Sequence, residues 1–534
     1  MRRKTTQDDT DDTLTLSYNL FDLPTAQHKA GLAGLLVMIE SMKRRELEPL
    51  PEIVDLGPDG AAISLTRESL QSVYNEFFAP QKDKNGKIVP KAAFLEVMGM
   101  PPLWLALWRD IIKGVLRAGA PAQMNPFKYR YFPEKRPKEW DWEKMWQSLL
   151  KQETMGICGT HIPGNESANA EKVESTASAQ QMLLLLFWPV VSLPYVTQEL
   201  TIPKSRRIQD YLFSYYAYVI ATPEVSCLDE FTREIFDLYP QSLYDDARGK
   251  APRPTQSVIS TEKEAALLFA SQQYAGIDTF PTLDMVSSLN IIHLKYGQGS
   301  PDILEESIIA PDESLLKLYK RITSSYFNPL FKRQLIENLF MQQSWYHGMH
   351  DLFANHPKEF FIQCPESPKK IYGFFRDVKK KFFSIQEDNQ MDMEGYMSVE
   401  ENKEELLALR IRGLVRQYVQ RKAESKSGVT FKEFKKDEKG KTIYPTTYRE
   451  AVEKVCMDAF LALRGRREQD FVEYFTGTLC SVPQYLPEDD FLLVSQALIN
   501  ERDKVKALSM LAVSSCSYLP VNKENTKDNQ GEKS

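Results

Sequence analysis

At 534 residues, 42% hydrophobic and 26% charged, the chain is too long for one ordinary core and has the make-up of a soluble globular protein with two or more domains. A formal net charge of −6 excludes a protein that coats nucleic acid all over, though it leaves room for local basic surfaces. Six scattered cysteines with no C-x-x-C pair argue against a zinc ribbon or a disulfide framework and fit a reduced, cytoplasmic protein. Met1-Arg-Arg-Lys runs straight into polar and acidic residues, so no signal peptide is expected. The most apolar run, Met182 to Val196, contains Pro189 and Pro194 and is too short to span a bilayer, so no membrane partner is expected.

The first patterned stretch is Thr13 to Met42. Leu14, Leu16, Tyr18 and Leu20 alternate with Thr15, Ser17 and Asn19, the period of a half-buried strand. Asp22 and Pro24 break the chain, Thr25 is placed to cap a helix, and Ala26 to Met42 reads as that helix, packed on the strand. The wording of this stretch, Leu20-Phe-Asp-Leu-Pro24 followed by Thr25-Ala-Gln-His-Lys-Ala-Gly-Leu32, resembles the opening of the large subunit of type I CRISPR effector complexes (Cascade), in the myxococcal-type, subtype I-B-like branch. The likeness is specific over roughly thirty residues and elsewhere rests on length, order of elements and character.

Glu68 to Phe78 is predicted helical. Gln81 to Val89 then reads as a hairpin whose tip, Asn85-Gly86, is flanked by Lys84 and Lys87. Such a tip is either a solvated turn or a basic finger able to approach a DNA groove. From Lys113 to Lys138, seven Lys and Arg stand against Glu134 alone, with Phe127, Tyr129, Tyr131 and Phe132 between them. Cations neutralise phosphates and planar rings stack or wedge at base steps. Lys84, Asn85, Lys87, Lys128, Tyr129 and Arg130 are therefore the candidates for reading a DNA motif; the alternative is a surface loop whose rings are core anchors. Trp140, Trp142 and Trp146 read as core, Lys151 to Gln180 as a flexible loop, and Met182 to Val196 as a buried strand with its continuation. Asp210 to Ile220, dense in tyrosine, is expected to be a helix, as is Glu262 to Tyr274. Leu289 to Lys295 is expected to be a short strand, and helices to dominate from Asp312 to Leu352.

Lys369 to Lys381 holds six cations against Asp377, and Arg410 to Lys441 holds eleven against four acids. Lys379, Lys380, Arg412, Arg416 and Arg464 are the candidates for phosphate-backbone contacts; each could equally sit on a solvated helix face. The acidic stretch Gln386 to Glu405 reads as a linker, and everything beyond it as helix. Leu407, Ile411, Leu414 and Tyr418 share one face, with Arg412 and Arg416 opposite. Later helices are predicted near 447–464, 468–480 and 488–514, with a disordered tail from residue 521. The expected class is α+β: a mixed α/β N-terminal body over 1–385, an acidic linker over 386–405 and an all-α helical bundle over 406–520.

No phosphate loop, G-x-S-x-G elbow or H-E-x-x-H helix occurs, so no catalytic residue, metal or cofactor is expected. His347, His350 and Asp351 keep a metal-dependent phosphohydrolase open as an alternative, and a helical protein-interaction scaffold is another. What the resemblance implies is a non-catalytic DNA-recognition subunit for antiviral defence. Its partners would be a guide CRISPR RNA, target double-stranded DNA, the backbone and 5′-handle-binding Cascade subunits, and a helicase-nuclease. It would recognise the protospacer-adjacent motif on duplex DNA and promote R-loop formation. The resemblance also implies a small subunit similar to the C-terminal bundle, which several subtypes translate from an internal start; Met391, Met393 and Met397 are the candidates.

Overall fold

The computed structural model describes residues 13–82, 86, 88–93, 105, 108–109, 142–157, 175–243, 258–271, 282–296, 301–391, 399–436, 440, 442–481 and 487–519. The chain folds as two compact units, Met1–Glu199 with Tyr215–Lys317 and Leu200–Ser214 with Leu318–Ser534. The first is mixed α/β and the second is largely helical, the α+β order expected from the sequence.

In the first unit, strand β1 (Leu14–Asn19) buries Leu16 and exposes Thr15, Ser17 and Asn19, following the alternation of its sequence. It leads into helix α1 (Ala26–Arg44), where Thr25 caps as expected: its hydroxyl accepts from the His28 amide and also meets His28 Nδ1 at 2.7 Å. β1 pairs antiparallel with β3 (Gly60–Leu65), which pairs antiparallel with β2 (Glu52–Leu56), giving a sheet of order β1-β3-β2. Helix α1 is buried on nearly every side, and Gly31 and Gly34 explain how. A Cβ at Gly31 would strike the Leu184 carbonyl and one at Gly34 the Phe187 carbonyl, so backbone lies against backbone. The segment pressed there is the apolar run, and it is no strand. After α2 (Arg67–Phe78) and a helix over Trp142–Leu150, helix α3 (Ala179–Leu184) forms, a 3-10 turn covers Trp188–Val190, and the strand β4 (Leu193–Thr201) begins only after them. The capping box between Ser178 and Gln181 starts α3, and Pro189 sits at the first turn of the 3-10 segment. Short apolar runs carry no period that separates a buried strand from a buried helix.

A second sheet runs β6-β4-β5-β7-β8, with β5 at Leu212–Val225, β6 at Val258–Ile259, β7 at Val286–Tyr296 and β8 at Pro301–Ile309. The tyrosine-rich segment expected as a helix is thus most of a strand. Ala217, Val219, Ile220 and Ala221 are buried in it while Tyr215 and Tyr216 are exposed, and aromatic and β-branched residues fit a pleated, half-buried surface. Leu289 to Lys295 is a strand as expected, extended to Val286–Tyr296. Residues Thr154–Ile157 and Ser175–Ser178 pair as short strands at the two ends of the stretch expected to be a loop.

In the second unit, α4 (Pro329–Phe340), α5 (Met349–Asn355), α6 (Phe374–Met391), α7 (Val399–Ser427), α8 (Thr446–Gly465), α9 (Glu488–Asn500) and α10 (Arg502–Ser517) build the helical region. α10 is buried along nearly all its length among α6, α7 and α8. The expected single helix 488–514 is two, broken at Glu501, whose φ of −135° and ψ of 49° interrupt the helical run. Leu407, Ile411, Leu414 and Tyr418 are buried together as their spacing demands, joined by Ala408, Val415 and Val419. α6 ends and α7 begins inside the acidic stretch 386–405. Asp377, the one acid in the basic run of α6, faces inward at 1% exposure. One of its carboxylate oxygens accepts from the amides of Phe327 (2.7 Å) and Asn328 (2.6 Å), which start α4.

Candidate nucleic-acid interface

The candidate motif readers Lys84, Asn85, Lys87, Lys128, Tyr129 and Arg130 lie outside the described residues. Around the first three, the strands Pro80–Lys82 and Ile88–Pro90 pair antiparallel and Gly86 has φ +76°, the left-handed turn that the Asn85-Gly86 pair predicts.

The phosphate candidates fall into two groups. α6 presents Arg376, Lys379 and Phe383 at positions i, i+3 and i+7, and α7 presents Arg412 and Arg416 one turn apart. Lys379, Arg412 and Arg416 meet across a cavity of about 290 Å³ whose walls also include Phe383, Phe431, Tyr444 and Cys516. Arg412 is therefore not on a face opposite the buried stripe of α7; α6 and α10 close over its flank. Its guanidinium lies 4.6 Å from the centre of the Phe383 ring. Lys379 Nζ donates to the Tyr518 carbonyl at 3.0 Å, and Arg376 lies 5.1 Å over the rings of both Tyr372 and Tyr518. Lys380 and Arg464 are elsewhere. Lys380 donates at 3.0 Å to the carbonyl of Ser325, the last residue of the helix Glu313–Ser325, and Arg464 to the carbonyl of Ala354 in the last turn of α5, so each satisfies a helix end.

The cavity is short of negative charge. On the same helix Arg410 pairs with Asp490 at 2.8 Å and Arg421 with Glu424 at 3.7 Å, whereas Arg412 and Arg416 have no carboxylate partner among the described residues. Burial, and after it the charges of Arg412 and Arg416, push the Lys379 ammonium down, with the Cys516 thiol opposing. Burial likewise holds the Arg412 guanidinium below its usual range, helped by Arg416. Burial pushes the Cys516 thiol up against the pull of the three cations, so it supplies no ready countercharge. An anion entering the cavity would meet three converging donors whose repulsion it relieves.

The sequence marked the three cations but not their aromatic walls. Phe431, Tyr444 and Cys516 come from three further segments, and no local period links them to Lys379. His347, His350 and Asp351 are not gathered as a ligand set. His347 precedes α5 across Gly348 at φ +71°, so the two imidazoles are not on successive turns of one helix. Among the described residues the close donor set is instead Glu262, His293 and Glu305, with ligand atoms within 4.8 Å of one another. Two carboxylates and an imidazole are donors suited to a borderline divalent cation. His293 stands opposite Glu305 across β7 and β8, and burial holds its imidazole below the usual range while both carboxylates oppose this.

Two family models match the chain: the type I-B CRISPR Cas8b N-terminal domain over residues 85–275 and the type I-B CRISPR Cas8b C-terminal domain over residues 286–516. The chain belongs to the type I-B Cas8b family. Together the matches cover more than three quarters of the sequence and make it a Cascade large subunit, as the resemblance of its opening implied. No curated protein matches the chain. Residues Leu20 to Leu32, which carry that resemblance, precede both matched spans, while Lys379, Arg412, Arg416 and Cys516 all fall in the Cas8b C-terminal domain. Among the described residues no helix is long and apolar enough to cross a membrane.

Proposed function

We propose that this Cas8b-family chain is a non-catalytic, cytoplasmic DNA-recognition subunit of an RNA-guided surveillance complex. It reads the protospacer-adjacent motif on duplex DNA and promotes R-loop formation, while guide pairing reads the rest of the target. Lys84, Asn85, Lys87, Lys128, Tyr129 and Arg130 are assigned to the flanking motif. Lys379, Arg412 and Arg416 take phosphates of the opened strands, and Lys380 and Arg464 lie outside that cavity. The guide RNA, the backbone and 5′-handle-binding subunits, an internally translated small subunit and the helicase-nuclease are its partners.

The observation that carries the reading is the cavity between α6 and α7: three converging cations with no carboxylate partner among the described residues, in a chain of net charge −6. Such a surface suits a polyanion. In the assembled complex, Arg412→Glu with Arg416→Glu should weaken target binding and lower the salt slope of log K by about 1.4, at roughly 0.7 per single-strand phosphate. An unchanged slope removes this face from the interface. Lys128→Ala with Arg130→Ala should selectively weaken binding to duplex bearing the flanking motif. Purifying the tagged chain from its host and sequencing the RNA it carries tests the assembly. Short RNAs of uniform length with a shared repeat-derived 5′ end are expected, and a fragment starting near Met397 would identify the internal start. Absence of RNA and partner subunits from cells that express the complex would refute the reading.

A further inference from the structure

A surface built for phosphate alone needs no aromatic rim, yet this cavity has one. Phe431 is 53% exposed and Phe383 is 45% exposed, a large apolar outlay on residues that line a cationic hollow. Both are held firmly. Phe431 packs edge-on against Phe434 at 5.4 Å, Phe434 in turn abuts Tyr444 and Tyr448, and those two tyrosines lie nearly parallel at 6.2 Å. The Phe431 amide is tied to the Glu424 carboxylate at 3.2 Å, which fixes the turn that carries the ring. The Phe383 ring is backed by the Arg412 guanidinium. Rings and cations thus line one continuous wall, with Lys379 and Arg412 set deeper than the exposed Arg416.

Size decides what fits. About 290 Å³ is at the low end of small-molecule sites, roughly 300 Å³, which is room for one flat heterocycle and its sugar but not for a base pair. We propose that the cavity seats one unpaired nucleotide of a single strand, its phosphate on Lys379, Arg412 and Arg416 and its base against Phe431 and Tyr444. This rests on the reading of the α6–α7 face as a phosphate-binding surface and adds that the base is held by its ring. Every base offers a π-face, so the site grips without reading sequence, and a duplex, with its bases paired, cannot enter. It would hold an opened strand against reannealing wherever that strand crosses the face.

The test uses the full chain and fluorescently labelled oligothymidine, compared with a strand of equal length and charge that lacks bases. The thymidine strand should bind about tenfold tighter or more, given the worth of one base on an aromatic ring. Phe431→Leu, which keeps apolar bulk on an exposed turn, and Tyr444→Leu should each erase most of that preference while leaving the base-free strand unaffected. Matching thermal melts would establish that these variants fold. Equal affinity for the two strands, or equal losses on both in the leucine variants, overturns the nucleotide site. If Arg412→Glu with Arg416→Glu still abolishes binding in that case, the phosphate surface stands and only the base pocket is lost. If the charge reversal leaves both strands bound as before, the underlying reading fails as well.

Discussion

Asp377 gives the most quantitative test of how the second unit is held together. Burial dominates its titration and lifts its carboxyl from the usual 3.8 to about 6, although the amides of Phe327 and Asn328 favour the ionised form. An acid whose folded pKa is raised contributes stability that is fully present below its unfolded pKa and is lost as pH rises through the folded one. Between pH 5 and pH 8 that loss works out at about 1.4 kcal/mol, since the unfolded carboxyl is already mostly ionised at pH 5, the folded one ionises near pH 6, and one unit is about 1.4 kcal/mol. Asp377→Asn keeps an oxygen able to accept both amides but cannot ionise. The variant should therefore gain on the wild type by about 1.4 kcal/mol between pH 5 and pH 8, a widening of about 3–6 °C in the difference between their melting temperatures. Melts of both proteins at the two pH values measure it. A gap that stays constant, or narrows as pH rises, would show that the amide bonds and not desolvation govern this carboxyl.

Three further outcomes follow from packing and pairing. Gly31→Ala should destabilise the first unit by about 1–3 kcal/mol because its Cβ meets the Leu184 carbonyl, whereas Gly413→Ala on α7, where nothing lies within 4 Å, should stabilise by about 0.5–1 kcal/mol; thermal melts of the pair check both. Lys29 pairs with Glu224 at 2.7 Å, and this bond, with a second from Ser288, holds the Glu224 carboxyl below its usual range. That contribution is present above the unfolded carboxylate pKa and lost as pH falls through the folded one, so Lys29→Met should cost about 1 kcal/mol at pH 7 and less near pH 3, read by chemical denaturation. Arg410→Ala should cost about 1–2 kcal/mol, because it leaves the buried Asp490 carboxylate without the half-exposed partner 2.8 Å away; a melting temperature within a degree of wild type would contradict this.

The segment that carried the family resemblance turns out to be architecture. Thr25 caps α1, His28 is buried against that cap, Lys29 reaches Glu224 and Gly31 admits the Leu184 carbonyl, so its wording reflects how the first unit closes. The residues that carry the resemblance, outside both matched family spans, are thus also ones that make the close contacts of the first unit. The motif-reading candidates in the basic runs rest instead on charge, turn chemistry and the aromatic residues between them.

What the sequence determined by itself is whatever a local period or a neighbouring residue can specify. The alternation of Leu14 to Asn19, the Thr25 cap, the left-handed Gly86 and the buried stripe Leu407, Ile411, Leu414 and Tyr418 each follow from interactions a few residues apart. The tertiary structure decided the rest. Met182 to Leu186 is equally apolar as strand or helix, and the tyrosines of Leu212–Val225 suit either, so long-range burial settled both against the local reading. Of the five basic residues marked as phosphate contacts, charge alone gave no ranking. The crossing of α6, α7 and α10 brings Lys379, Arg412 and Arg416 to one cavity with Phe431 and Tyr444, while Lys380 turns to the Ser325 carbonyl and Arg464, on α8, to the end of α5. A charge is written in one residue, but a site needs several to converge, and convergence belongs to helix packing.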